Sequence, residues 1–141
     1  MRTRIDAHRR ERGDMFHTLE APHDLRLALQ QSKGYGVVVM DCATLWLANR
    51  LIALDQAPAV LADLRAVIET IRTLGLRCVV VTNEVGMGIV PDMRLGRDFR
   101  DLAGTANQHL AAAADEVFLA TMGTVLRLRP GPVELVAPES R

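Results

Sequence analysis

His8 is followed at once by Arg9 and Arg10, with Arg12 close behind. Positive neighbours disfavour protonation of an imidazole, so this ring is expected to stay neutral and nucleophilic at pH 7. A neutral imidazole can attack the α-phosphorus of a nucleotide. The same guanidiniums can neutralise a triphosphate and its departing pyrophosphate. The alternative for these residues is an exposed histidine on a solvated basic helix. His17, His23 and His109 have no comparable setting.

Asp41 closes the apolar run Val37-Val38-Val39-Met40. Four apolar residues followed by an aspartate is the pattern by which phosphate-transfer enzymes hold Mg²⁺ or its water at a strand end. A buried strand can also end in an aspartate that caps the next helix, and Thr44 is equally placed to act as that cap. The loop from Thr82 to Pro91, TNEVGMGIVP, combines an amide, a carboxylate and two glycines before a proline. Such loops position ligands or subunits. The same composition also serves a long strand-to-helix connection whose glycines supply positive φ.

These residues need a scaffold, and the hydrophobic pattern predicts one. Asp24 can cap a short helix built on Leu25, Leu27, Ala28 and Leu29, ended by Gly34-Tyr35-Gly36. The glycine-bounded run 37–40 suits a strand covered on both faces in a parallel sheet. Val60, Leu61, Leu64, Val67, Ile68 and Ile71 repeat at spacings of three and four, which predicts an amphipathic helix from Ala57 to Leu74. The run 77–81 follows as a second strand, giving a parallel strand, crossover and strand. Leu95, Phe99, Leu102, Ala106, Leu110 and Ala113 form another helical stripe. Val117–Ala120 and Val125–Leu128, separated by Gly123, can form a hairpin at a sheet edge. The expected fold is a single α/β domain over 1–141, with at least three parallel core strands, flanking helices and a loose tail from Pro130 to Arg141. In open sheets of this kind ligands lie outside the carboxyl ends of the strands, where Asp41 and the loop after Val81 both fall.

Composition narrows the partners. Seventeen Lys and Arg balance seventeen Asp and Glu, so no global field favours nucleic acid or an anionic membrane. Lys33 is the only lysine among the seventeen, which reads first as genomic composition, although arginine is also the better bidentate donor. The N-terminus is too polar for a signal peptide, and no apolar stretch reaches the roughly 18 residues of a spanning helix. Cys42 and Cys78 lack metal-ligand spacing and read as reduced packing residues, which fits a cytoplasmic location.

The segments TLEAP, VVVMDCATLWLANRL, VVVTNEVGMGIVPDMRLGRDFRDLAGTANQHLAAAADEV and MGTVLRL together resemble the bifunctional adenosylcobinamide kinase/adenosylcobinamide-phosphate guanylyltransferase family of cobalamin biosynthesis. TNEVG-x-GIVP and GR-x-FRDLAG-x-x-NQ are the most specific of these, and the similarity runs from about Arg4 to about Leu128. It implies a sheet of the P-loop NTPase (RecA-like) type, a homotrimer, Mg²⁺ as cofactor, and GTP and ATP as substrates alongside adenosylcobinamide and its phosphate. The RI-x-x-H-x-x-x-R motif makes His8 the residue that becomes guanylylated. The residues after it, Arg9, Arg10, Glu11 and Arg12, are implied to contact GTP. The T-x-E-x-P glutamate is Glu20, the acidic strand end for nucleotide and metal is Asp41, and Phe16 holds a place usually taken by tryptophan.

The family opens with a strand and a G-x-x-x-S-G-K-[ST] phosphate loop, and no Gly-Lys-Ser/Thr occurs in these 141 residues. The chain therefore reads as the family domain without its N-terminal strand and P-loop, with a gap in the sheet and apolar surface to be covered. Two functions follow from the resemblance. One is the family enzyme, with the loop encoded upstream of Met1; the other is a catalytically inactive remnant or a non-catalytic partner subunit. Each charge-assisted hydrogen bond of a phosphate loop contributes about 1.5–3 kcal/mol. The 141 residues alone are accordingly expected to leave no acid-labile GTP label on His8.

Overall fold

The computed structural model describes residues 15–136; His8, Arg9, Arg10, Glu11 and Arg12 lie outside the described residues. In chain order the elements are α1 (Leu25–Gln31), β1 (Val38–Asp41), α2 (Ala43–Leu54), α3 (Ala57–Thr73), β2 (Cys78–Val81), a 3₁₀ turn (Val85–Met87), α4 (Arg94–Ala113), β3 (Val117–Thr121), β4 (Thr124–Arg129) and β5 (Glu134–Val136). The fold is mixed α/β.

Local chemistry sets most of the boundaries. Asp24 caps α1 as its spacing predicts, its carboxylate accepting the Leu27 amide at 3.0 Å. Pro58 enters the first turn of α3, where a missing amide hydrogen costs nothing. At the other end of α3, Gly75 takes φ +61°, which lets the Leu76 amide reach the Ile71 carbonyl and the Gly75 amide reach the Arg72 carbonyl, both at 3.0 Å. That double bond pattern satisfies carbonyls the helix would otherwise strand.

The core lies where the helices meet. Trp46, Leu47 and Leu51 of α2, Val60, Leu64 and Val67 of α3, and Leu102 and Ala106 of α4 form one buried cluster with Leu29 of α1. Val38 and Met40 of β1 pack against it. Leu47, Leu64 and Val60 are its largest fully buried side chains. Leu64→Ala is expected to cost about 2–5 kcal/mol through lost transfer energy and the cavity left behind. In urea unfolding this should lower the midpoint while leaving the slope unchanged.

β1 and β2 pair in parallel, with Val38 opposite Cys78 and Asp41 opposite Val81. The crossover between them is two helices, α2 and α3, where the apolar spacing singled out one. The expected three parallel core strands, and with them a mostly parallel sheet, are corrected here. β3 pairs antiparallel with β4, and β4 with β5, in a separate three-stranded sheet. Met122 and Gly123 both have positive φ, +48° and +74°, and close a two-residue hairpin that turns the chain straight back along β3. The tail also departs from expectation, since Glu134–Val136 adds a strand to this sheet and Glu134 pairs with Arg127.

Coverage of β1 and β2 on both faces is corrected too. Val38 and Met40 face the helical core, whereas Val39, Val79 and Val81 on the other face are 45%, 51% and 40% exposed among the described residues. An apolar run without alternation predicts two buried faces, and the helices described here supply one.

Candidate functional site

Two groups of residues reach the carboxyl edge of the parallel pair, one along β1 and one after β2. The first surrounds a cavity of about 770 Å³, within the usual range of about 300–1,000 Å³ for small-molecule sites. One wall is residues 16–22, which form no helix or strand; another is residues 35–42, including the whole of β1. Glu20 and Asp41 both line it, as does Phe16, so residues 21 positions apart in sequence face the same space. Both carboxylates are exposed and both have interaction partners.

The wall carrying Glu20 is tied down by α2. The indole Nε1–H of Trp46, the chain's single tryptophan, donates to the His23 carbonyl at 3.0 Å, and Asn49 Nδ2 donates to the Pro22 carbonyl at 3.4 Å. At the opposite end of the wall the His17 and Tyr35 rings stack, centroids 5.8 Å apart and 14° from parallel. Trp46 is 4% exposed, and Asp41 lies one residue before the Cys42 cap of the same helix, so one short segment adjoins both acidic residues. Trp46→Phe keeps the buried ring and removes the donor, which is expected to cost about 0.5–1.5 kcal/mol and loosen the wall. Amide exchange over residues 18–24 should then rise about tenfold, with that of α3 unchanged.

Asp41 does not cap α2. Cys42 is the N-cap, with no side-chain capping bond, and Thr44 lies inside the first turn. The capping alternatives for Asp41 and Thr44 are therefore corrected: the sharp turn after β1 puts position 42 at the helix start, and Thr44 is used elsewhere. Its Oγ1 accepts the Asn83 backbone amide at 2.9 Å and Asn83 Nδ2 at 3.1 Å.

That contact begins the second group. Thr82 Oγ1 donates to Asn107 Oδ1 at 2.7 Å, and Asn107 Nδ2 donates to the Asn83 carbonyl at 3.2 Å and to Glu84 Oε1 at 3.1 Å. Further along, the Arg100 guanidinium donates to the Gly86 carbonyl, and Arg97 to the carbonyls of Pro91 and Asp92. Gly96 completes the anchoring, because a Cβ there would fall 2.6 Å from Pro91 Cβ. The reading that the loop glycines supply positive φ is corrected, since neither Gly86 nor Gly88 adopts it; the glycine that close approach requires is Gly96 on α4. Thr82 and Asn107 carried no individual role in the sequence, and Thr44 only that of a cap. The NQ of the G-x-x-NQ segment was the available signal, but its contacts span 23–25 residues and no local spacing shows them.

Burial pushes the Cys78 thiol up from its ordinary range. The folded chain therefore favours the neutral thiol, and this contribution is intact below the unfolded thiol range and lost as pH rises from there through the raised folded value. Alkaline destabilisation, read from urea midpoints on either side of that range, should be shallower in Cys78→Ala.

Among the described residues no group of three or more His, Cys, Asp or Glu is placed to hold a metal ion. A divalent ion carried by a nucleotide has a different demand. Mg²⁺ keeps several waters and takes one or two carboxylates plus phosphate oxygens, a role that Asp41 at the cavity wall fits. No helix among the described residues is long and apolar enough to cross a membrane.

Residues 1–128 match the family described as cobinamide kinase/cobinamide phosphate guanyltransferase. The chain is also similar to the bifunctional adenosylcobalamin biosynthesis protein CobU of Escherichia coli K12, at 36% identity over 144 residues, covering 92% of this chain and 78% of that protein. CobU of Salmonella typhimurium LT2 gives 36% over 142 residues with the same coverage. CobP of Pseudomonas aeruginosa PAO1 gives 33% over 134 residues, 94% of this chain and 77% of the relative. With a match that takes in the motifs around His8, Glu20, Asp41 and the Thr82–Pro91 loop, the chain belongs to the cobinamide kinase/cobinamide phosphate guanyltransferase family.

Proposed function

We propose that the protein phosphorylates adenosylcobinamide with a nucleoside triphosphate and then transfers GMP from GTP to adenosylcobinamide phosphate, giving adenosylcobinamide-GDP. The observation that carries the reading is the family match over residues 1–128, joined to one cavity lined by both Glu20 and Asp41. In the first step the substrate hydroxyl oxygen attacks the γ-phosphorus and a nucleoside diphosphate leaves. In the second, a ring nitrogen of His8 attacks the α-phosphorus of GTP and pyrophosphate leaves. A phosphate oxygen of adenosylcobinamide phosphate then attacks the same phosphorus and frees the imidazole.

Arg9, Arg10, Glu11 and Arg12 bind the nucleotide, the cations offsetting charge on the triphosphate and the leaving pyrophosphate. Glu20 orients the nucleotide from the cavity wall, with Phe16 offering a face on which a base can stack. Asp41 would hold Mg²⁺, which would supply charge neutralisation to the phosphates. The protein acts as a homotrimer and works in the cytoplasm without nucleic acid.

A second reading, a non-catalytic partner subunit, draws on the exposed apolar face of β1 and β2, which suits burial against another chain. Incubation of the protein made from its complete reading frame with adenosylcobinamide, ATP, GTP and Mg²⁺ separates the two. Formation of adenosylcobinamide-GDP, resolved by chromatography and mass, supports the enzyme. Its absence supports the partner subunit.

A further inference from the structure

We propose that Glu84, positioned by Asn107, is the carboxylate that takes the proton from the hydroxyl being phosphorylated. This step rests on the kinase reading above and adds a residue to it. Asn107 sits on α4, 23 positions from Glu84, and its amide is the link between the helix and the loop. Both partners of its Nδ2, the Asn83 carbonyl and Glu84 Oε1, are acceptors, so the amide must present its NH₂ to the loop. Its oxygen then takes the Thr82 hydroxyl proton at 2.7 Å. Thr82 Oγ1 in turn lies 3.4 Å from Thr44 Oγ1, which the Asn83 amides already hold. Every donor in the set has an acceptor, and the set joins β2, α2 and α4.

The consequence is a fixed carboxylate with one oxygen in use. Oε1 is held by Asn107, while Oε2 has no partner among the described residues and Glu84 is exposed. Glu84 follows β2 by three residues, and β2 ends at Val81 opposite Asp41, so the carboxylate belongs to the same strand-end edge as the proposed metal site. Arg97, Arg100 and Gly96 hold the rest of the loop from α4, which gives the carboxylate a rigid base. In the step itself the hydroxyl oxygen forms its bond to the γ-phosphorus as its O–H bond breaks. The proton passes to Glu84 Oε2, and the bond to the nucleoside diphosphate breaks with its electron pair.

The test is the pH dependence of adenosylcobinamide phosphorylation in wild type, Glu84→Gln, Asn107→Ala and Asn107→Asp. Glu84→Gln should lower kcat by about 10²–10⁴-fold, the usual contribution of a positioned general base. Asn107→Asp sets a second carboxyl beside Glu84, and two carboxylates sharing a site cannot both ionise freely. Its acid limb should therefore move to higher pH by about one unit, with KM for the triphosphate within about threefold of wild type. Asn107→Ala removes an amide donor from the ionised carboxylate, so it should lower kcat and move the same limb to higher pH by less. A merely structural Asn107 would lower the rate by the same factor at every pH, and that result overturns the proposal, as does a Glu84→Gln rate near wild type. A wild-type protein that does not phosphorylate adenosylcobinamide overturns the proposed function, and this step with it. A variant that fails to fold shows itself by its circular dichroism and is replaced by Asn107→Ser, whose hydroxyl is too short to reach both partners and should give the alanine result.

Discussion

Replacement of His8 by alanine is expected to abolish formation of adenosylcobinamide-GDP while adenosylcobinamide phosphate accumulates. In the proposed mechanism the imidazole carries the GMP between two substrates that need not be bound together, so no other residue would substitute for it. Loss of a covalent nucleophile acts on the scale of roughly 10⁴-fold or more in turnover. Chromatography of the corrinoid products over a time course checks this: the phosphate intermediate should persist and the GDP adduct should stay at background. A variant that still makes the adduct at a comparable rate would place the transfer on another group or make it direct.

The second large effect is expected from Asp41→Asn. This carboxylate stands at the end of β1, against the same cavity as Glu20. The amide keeps the shape and removes the charge, and both half-reactions should fall by about 10²-fold or more, since electrostatic stabilisation of phosphoryl transfer is lost in each. Half-saturating Mg²⁺ should rise by about 10–100-fold, and added Mg²⁺ should recover part of the rate. Titration of both steps with Mg²⁺ measures this. An unchanged Mg²⁺ requirement would overturn the proposal that Asp41 holds the metal.

Much of the scaffold was legible because it is written in local periods. The stripe from Val60 to Ile71 predicted a helix from Ala57 to Leu74, and α3 spans Ala57–Thr73. The stripe from Leu95 to Ala113 appears as α4, the runs at 37–40 and 77–81 as β1 and β2 in parallel, and the hairpin about Gly123 as β3 and β4. What the sequence hid is pairing between distant segments. Nothing in Val117–Thr121 distinguishes a third parallel strand from the first strand of an antiparallel sheet; the difference lies in which edges are taken. The exposed face of Val39, Val79 and Val81 was hidden for the same reason, since an apolar run does not say how many helices will cover it.

The site divides similarly. Asp41 was legible from its place after four apolar residues, and Glu20 from the T-x-E-x-P segment, and the structure brings both to one cavity. The parts that hold them were not. The Trp46 bond to the His23 carbonyl spans 23 residues, and Thr44 meets Asn83 across 39. A tryptophan reads from sequence as core and a threonine after an aspartate reads as a cap. Their polar atoms acquire these roles only when the crossover folds back and sets two strand ends side by side.

The account turns on the covalent carrier, and its most direct test is trapping it. The protein from its complete reading frame, incubated with GTP labelled at the α-phosphate and with Mg²⁺, then quenched in alkali, should carry one acid-labile label per chain on the peptide containing His8. The label should disappear in His8→Ala and chase into adenosylcobinamide-GDP when adenosylcobinamide phosphate is added. A label that survives in His8→Ala, or a wild-type protein that makes the adduct while no label can be trapped or chased, would contradict it.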